Sequence, residues 1–308
     1  MTDTMIRTEK LTKSFKDVKA VSDLSLNVNR GEIYGFLGLN GAGKTTTIRM
    51  LLGMISADKG EAYIDGKKVH AGNTELWKEI GYLVEIPYSY PHLTVKENLE
   101  IIRRLRLMND KNAVASVMDQ FNLTEYANRK AKNLSLGNAQ RLGIAKALIH
   151  RPSILILDEP ANGLDPAGIH EIREMLDDLA NNHGVTIFIS SHILGEISRY
   201  ANRIGIIHNG VLIRELNTLE LEQICEKRLK VNTRNNQHAL SVLQQNGIPA
   251  METQDHMLEI QSEAMIHNPE TVATLLVNHQ VPPFMLNVVE EDLESYFLRT
   301  IKQKGDEK

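Results

Sequence analysis

Two stretches of this sequence carry residue types whose spacing suits phosphate chemistry. Gly38-Leu39-Asn40-Gly41-Ala42-Gly43-Lys44-Thr45 fits the pattern G-x-x-x-x-G-K-[ST] of a phosphate-binding loop. Its glycines let the backbone wrap closely enough for several N–H groups to face one phosphate. A helix starting at the loop's end adds the partial positive charge of its N-terminus, Lys44 reaches the β- and γ-phosphates, and the Thr45 hydroxyl can ligate Mg²⁺. From average residue usage, a chance match in a chain this long is roughly a 1-in-100 event. The second stretch is the apolar run Ile154-Leu155-Ile156-Leu157, which ends in Asp158-Glu159. There Asp158 can hold Mg²⁺ through water, and Glu159 can orient or deprotonate an attacking water. Taken alone, two acids after a strand are as easily a solvated strand end. Beside a phosphate loop they supply the second half of a nucleotide site.

These residues need elements to position them. The spacing predicts strands and turns over residues 5–37, the last being Ile33–Leu37, and a helix from Thr45 to Met54. Strand, glycine loop, helix is the opening unit of an α/β fold with a parallel sheet. Apolar residues recur at helical spacing over 95–130 (Leu99, Ile102, Leu105, then Val114, Val117, Met118, Phe121), and Leu142–His150 is also helical. Ile154–Leu157 and Val185–Ile189 are short runs rich in β-branched residues, as buried parallel strands require. After residue 218 the glycine loops disappear and Gln, Asn and acids rise. Short strands are expected at Leu229–Val231, Leu258–Gln261 and Phe284–Val288, with helices at Gln237–Gln245, Pro269–Asn278 and Glu291–Ile301. Together they predict a small α+β domain.

Between the phosphate loop and the two acids lies Leu134-Ser135-Leu136-Gly137-Asn138-Ala139-Gln140-Arg141, then a helix that Ser135 would cap. Here the chain resembles the ATP-binding subunits of ABC transporters, whose signature reads L-S-G-G-Q-x-Q-R. Leu134, Ser135, Gly137, Gln140 and Arg141 match; Leu136 and Asn138 depart from the pattern. The family's other motifs follow in order. Phe15 stands where an aromatic stacks on adenine, although a lone Phe reads as a core residue. Asn162-Gly163-Leu164-Asp165-Pro166 resembles the D-loop. Ser190-Ser191-His192 resembles the segment whose histidine contacts the γ-phosphate; without that context His192 would be a satisfied core histidine. Gly81-Tyr82-Leu83-Val84-Glu85 occupies the Q-loop, with Glu85 where most members have glutamine; the plain alternative for Glu85 is a solvated loop acid.

A closer likeness runs the full length. Thr45–Gly53, Asn162–Pro166, Ile187–Leu194 and the C-terminal Glu291–Phe297 are similar to the bacitracin-export and lantibiotic-immunity ATPases. That resemblance implies an α/β ABC-type P-loop ATPase domain over 1–218, with a parallel-sheet core, an antiparallel β subdomain and a helical subdomain at about 86–150. An accessory α+β domain follows over 219–308. It also implies the site residues. ATP would be held by Phe15, Gly38, Asn40, Gly41, Ala42, Gly43, Lys44, Thr45 and Thr46, with Ser135, Gly137 and Asp165. Mg²⁺ would be held by Thr45, Asp158 and Glu85, and Glu159, His192 and Glu85 would serve the chemistry.

Composition sets the outer limits. The 308 residues carry 35 basic and 39 acidic side chains, a net charge of −4, so the basic excess of a general nucleic-acid binder is missing. No apolar run approaches the ~18 residues needed to cross a bilayer, and the N-terminus lacks the pattern of a secretory signal. The one cysteine, Cys225, excludes an intrachain disulfide and reads as a small apolar residue, buried or half-buried. The expectation is a cytoplasmic subunit, peripheral on the inner face of the membrane through a separate permease. With one phosphate loop and one signature per chain, the resemblance implies a head-to-tail dimer sharing ATP between copies. The function expected is ATP-driven efflux of, or self-protection against, a peptide antibiotic. The alternatives are an exporter of another drug or ion, or a soluble ABC ATPase outside transport. The ribosomal kind usually has two nucleotide domains per chain. The chromosomal kind has a long insertion, for which the 91 positions (135 − 44) from Lys44 to Ser135 leave no room.

Overall fold

The computed structural model describes residues 3–85, 87–217, 220, 227–253, 255–290, 295–297 and 299–300. The chain separates into two compact units, Met1–Thr218 and Leu219–Lys308. The first unit opens with strands β1 (Thr4–Phe15), β2 (Val18–Asn29) and β3 (Ile33–Leu37), then helix α1 (Lys44–Leu51). Strands β4 (Lys59–Ile64), β5 (Lys67–Lys68) and β6 (Ile80–Leu83) follow, then helices α2 (Val95–Leu105), α3 (Ala113–Gln120) and α4 (Leu136–Leu148). The unit closes with β7 (Ile154–Asp158), α5 (Pro166–Asn181), β8 (Thr186–Ser191), α6 (Leu194–Ile197), β9 (Arg203–His208) and β10 (Val211–Asn217).

Two sheets result. β2-β1-β4-β5 is antiparallel, and its alternating buried side chains, Leu24, Leu26 and Val28 among them, pack over α1. The second sheet runs β10-β9-β3-β8-β7-β6, parallel from β9 to β6, with β10 antiparallel at its edge. β3, β7 and β8 are buried at every residue, as strands covered on both faces must be. The strand ends of β3, β7 and β8 therefore lie side by side, and the loops leaving them carry the phosphate loop, Asp158-Glu159 and His192. Ligands of open parallel sheets bind at that carboxyl edge.

The helical stretch between β6 and β7 starts with a capping box: Thr94 Oγ1 accepts the Glu97 N–H, and the Glu97 carboxylate accepts the Thr94 N–H at 2.7 Å. Leu99 on α2 and Val114, Val117 and Met118 on α3 are buried as the helical spacing predicts. The rest of the stripe expected on α2 is not: Ile102 is half-buried and Leu105 is exposed, and Val95 in the first turn is buried instead.

The second unit holds β11 (Lys227–Thr233), β12 (Ala250–Glu252), β13 (Leu258–Ile260) and β14 (Pro283–Glu290), with helices Asn236–Gln245, Glu263–His267 and Pro269–Asn278 between them. The sheet order β12-β13-β11-β14, antiparallel throughout, is that of a β-α-β-β-α-β split motif. Leu229 and Val231 face Leu243, Leu258, Ile260, Val272 and Leu276 in a core of its own. The three strands and the two helices expected up to residue 290 all form. β12 and the helix Glu263–His267 are additional; three and five residues carry too little periodicity to be read as elements. Cys225 and most of the helix expected at Glu291–Ile301 lie outside the described residues.

Candidate nucleotide site

The phosphate loop is built as the sequence requires. Gly43 sits at φ +108°, and a Cβ there would fall 2.4 Å from the Ala20 carbonyl oxygen, so only glycine fits. The loop feeds α1, whose first residue, Lys44, is only 5% exposed at its side chain. Its ammonium donates to the Gly38 carbonyl at 2.6 Å and lies 3.1 Å from Glu159 Oε1. Next to it, the Thr45 hydroxyl donates to Asp158 Oδ2 at 2.8 Å.

The two acids behave differently. Asp158 is the last residue of β7 and is buried; its Oδ1 accepts the Ser190 hydroxyl at 2.6 Å. Glu159 follows at φ +47° and is 22% exposed at its side chain. Its Oε2 meets His192 Nδ1 at 3.0 Å, and its N–H donates to Ser190 Oγ at 2.9 Å. Lys44, Thr45, Asp158, Glu159 and His192, which span 148 positions of sequence (192 − 44), therefore form one bonded cluster at the sheet's carboxyl edge. The core alternative for His192 does not describe it: the ring is 35% exposed and bonded to a carboxylate. The Thr45 hydroxyl and the Asp158 carboxylate supply the hard oxygen donors that Mg²⁺ takes. Among the described residues no group of three or more His, Cys, Asp or Glu side chains forms a metal cage. Such a donor set matches a cation shared with substrate phosphates.

The other predicted residues are held by their own elements: Ser135, Gly137 and Asp165 line one cavity with Leu136 and Gly163, and none of Lys44, Glu159 and His192 lines it. Phe15 ends β1, 48% exposed, with the Lys13 ammonium 5.6 Å above its ring; it is not a core residue. Ser135 caps α4, accepting the Asn138 N–H at 3.3 Å. Leu136, one of the two departures from the signature, is exposed and lies against Gly163 of the D-loop segment, where a Cβ would meet its Cδ2 at 2.6 Å. Asp165 caps α5, accepting the Gly168 N–H at 3.0 Å with Pro166 as the first helical residue. Glu85, at φ +59°, is ion-paired with Arg49 on α1, one helical turn beyond Thr45. Two participants carried no separate signal in the sequence. Arg49 reads as an ordinary helical cation. Ser190 is hidden in the motif that names His192.

Comparison with known proteins agrees with this geometry. Residues 21–162 match the family model described as ABC transporter. The bacitracin transport ATP-binding protein BcrA of Bacillus licheniformis is 40% identical over 97% of both chains. The chain belongs to the ATP-binding proteins of the ABC transporter family. Its likeness to that relative extends across both units. The lantibiotic transport ATP-binding protein SrtF of Streptococcus pyogenes is 36% identical over 68% of this chain and 90% of its own. Among solved structures, the dimeric ATP-binding cassette MJ0796 bound to ADP and Pi shares 26% identity, with a TM-score of 0.65 over 70% of this chain and 99% of its own. The family and the P-loop ABC fold expected from the sequence are thus both found. The chain is an ATP-binding, ATP-hydrolysing member of that family, and no helix among its described residues is long and apolar enough to cross a membrane.

Proposed function

We propose that this subunit binds ATP with Mg²⁺ between two head-to-tail copies of the chain and drives a separate membrane permease that removes a peptide antibiotic or protects against one. The observation that carries this reading is the bonded cluster of Lys44, Thr45, Asp158, Glu159 and His192.

Residues 1–218 act as the ATP-binding domain, with 86–150 as its helical subdomain and 219–308 as an accessory domain. Phe15 stacks on adenine. Gly38, Asn40, Gly41, Ala42, Gly43 and Thr46 surround the phosphates, and Lys44 contacts the β- and γ-phosphates. Thr45 and Asp158 hold Mg²⁺, which neutralises developing charge when bound. Glu159 orients the water that attacks the γ-phosphorus, and His192 steadies the Glu159 carboxylate and faces the γ-phosphate. Ser135, Gly137 and Asp165 of the partner copy close the site from the other side. Support for the dimer comes from the dimeric solved relatives, and support for the cargo from the transport names of the two bacterial relatives.

The permease contact is assigned to a groove of about 780 Å³ lined by Arg49, Tyr82, Glu85, Leu105, Arg106 and Lys146. Arg106 and Lys146 donate there to the backbone carbonyls of Trp77, Ile80 and Tyr88. A permease segment that carries a carboxylate complements them. Through it the subunit sits on the cytoplasmic face of the membrane. Affinity purification of the tagged chain from detergent-solubilised membranes tests the assignment. Recovery of a polytopic membrane protein together with peptide-stimulated ATPase activity is expected; an active ATPase that never retains a membrane protein would contradict it.

A further inference from the structure

The two acids at the end of β7 have different tasks, and both are bonded to one hydroxyl. Ser190 lies on β8, paired in register with Asp158 on β7, and is 0% exposed. Its Oγ donates to Asp158 Oδ1 at 2.6 Å and accepts the Glu159 N–H at 2.9 Å. With Oδ1 fixed, the other oxygen of Asp158 is turned to Thr45, whose hydroxyl reaches it at 2.8 Å. With its N–H fixed, Glu159 is held at φ +47°, a region that costs a non-glycine residue of order 1–3 kcal/mol and persists only where neighbours enforce it. That conformation takes the chain out of the strand and puts the carboxylate between Lys44 and His192.

We propose that Ser190 is a positioning residue for ATP hydrolysis: one buried hydroxyl sets Asp158 toward the metal side of the site and Glu159 toward the water. The proposal rests on the roles given above to Asp158 and Glu159. A serine does this because a hydroxyl donates and accepts at once. Alanine would leave a carboxylate oxygen and a backbone N–H buried without a partner, and both would seek new ones. Groups that orient a catalytic or metal-binding side chain in this way lose about 10–100-fold in activity or metal affinity when removed.

The experiment compares Ser190→Ala and Ser190→Thr with the full-length wild type. Three quantities are measured: ATPase kcat and KM, Mg²⁺ titrations of both ATPase rate and fluorescent-ATP binding, and the melting temperature. Ser190→Ala should lower kcat about 10–100-fold and move both Mg²⁺ titrations to higher concentration. ATP affinity at saturating Mg²⁺ should stay unchanged, since the phosphate loop is intact. Ser190→Thr keeps the hydroxyl and should restore both Mg²⁺ curves. If threonine's methyl group prevents folding, Ser190→Cys, which keeps a weaker donor, should fall between serine and alanine. A folded Ser190→Ala with a lower melting temperature but wild-type kcat and Mg²⁺ dependence would overturn the proposal. Glu159→Gln is run alongside: retained turnover there would overturn the assignment of the site itself, whatever Ser190 does.

Discussion

Removing the charge of Glu159 should tighten ATP binding. In this structure Lys44 is paired with Glu159 at 3.1 Å, so a triphosphate must compete with a carboxylate for the same ammonium. At an effective dielectric constant near 20, two charges at that distance attract by about 5 kcal/mol. Most of that is offset by the cost of withdrawing both groups from water, because Lys44 is 5% and Glu159 22% exposed. In Glu159→Gln the ammonium keeps the Gly38 and Leu39 carbonyls and an amide oxygen as acceptors. The net loss is therefore about 1–2 kcal/mol rather than the ~3–5 of a fully abandoned buried ion. ATP recovers that amount by bringing a phosphate to Lys44, which is a gain of about 5–30-fold in affinity. Isothermal titration with ATP and Mg²⁺, at protein concentrations low enough to keep the chain monomeric, measures it. An unchanged or weaker affinity in a folded Glu159→Gln variant would refute the competition.

Three further outcomes are expected. Glu85→Gln should remain active and need less Mg²⁺ for half-maximal ATPase; because Arg49 already balances this half-exposed carboxylate, the shift is limited to about 2–5-fold, and superimposed Mg²⁺ curves would place Glu85 outside the metal's field. A chain ending at residue 218 should bind ATP as the full-length protein does, since every nucleotide motif lies upstream; loss of binding in a folded truncation would show that the accessory domain shapes the site. His150, held down at about 4 by burial and then by the nearby Arg106 charge, stays neutral in the native state while the unfolded chain takes up a proton below about 6.5. Its contribution to stability is complete above pH 6.5 and is lost as pH falls toward 4. Allowing for partial solvent screening, the loss is about 1 kcal/mol by pH 5. Melting curves at pH 7 and 5 should show a larger drop for the wild type than for His150→Gln.

What could be read from the sequence was what local chemistry dictates. The phosphate loop needs its glycines and its lysine in one contiguous stretch, and β7 and β8 are apolar runs because both faces of a parallel sheet are buried. Pairings that cross the sheet could not be read. Ser190 and Asp158 are 32 positions apart and meet only because β7 and β8 are in that register. Arg49 and Glu85 are brought together by the packing of α1 beside the loop after β6, so the sequence shows two unrelated charges. Phe15 illustrates the reverse case: a lone Phe suggests core, and only its place at the exposed end of β1 removes it from one. In the second unit the strands follow apolar runs, while their split order is set by helix crossovers that carry no local signature.

The central claim is that two copies of this chain enclose ATP and that Glu159 is needed to cleave it. Light scattering of Glu159→Gln after gel filtration in ATP and Mg²⁺, paired with phosphate release from the same sample, tests both halves together. A shift from 34.7 kDa to twice that mass is expected, with release reduced about 100-fold or more. A variant that stays at 34.7 kDa and releases phosphate at the wild-type rate would contradict it.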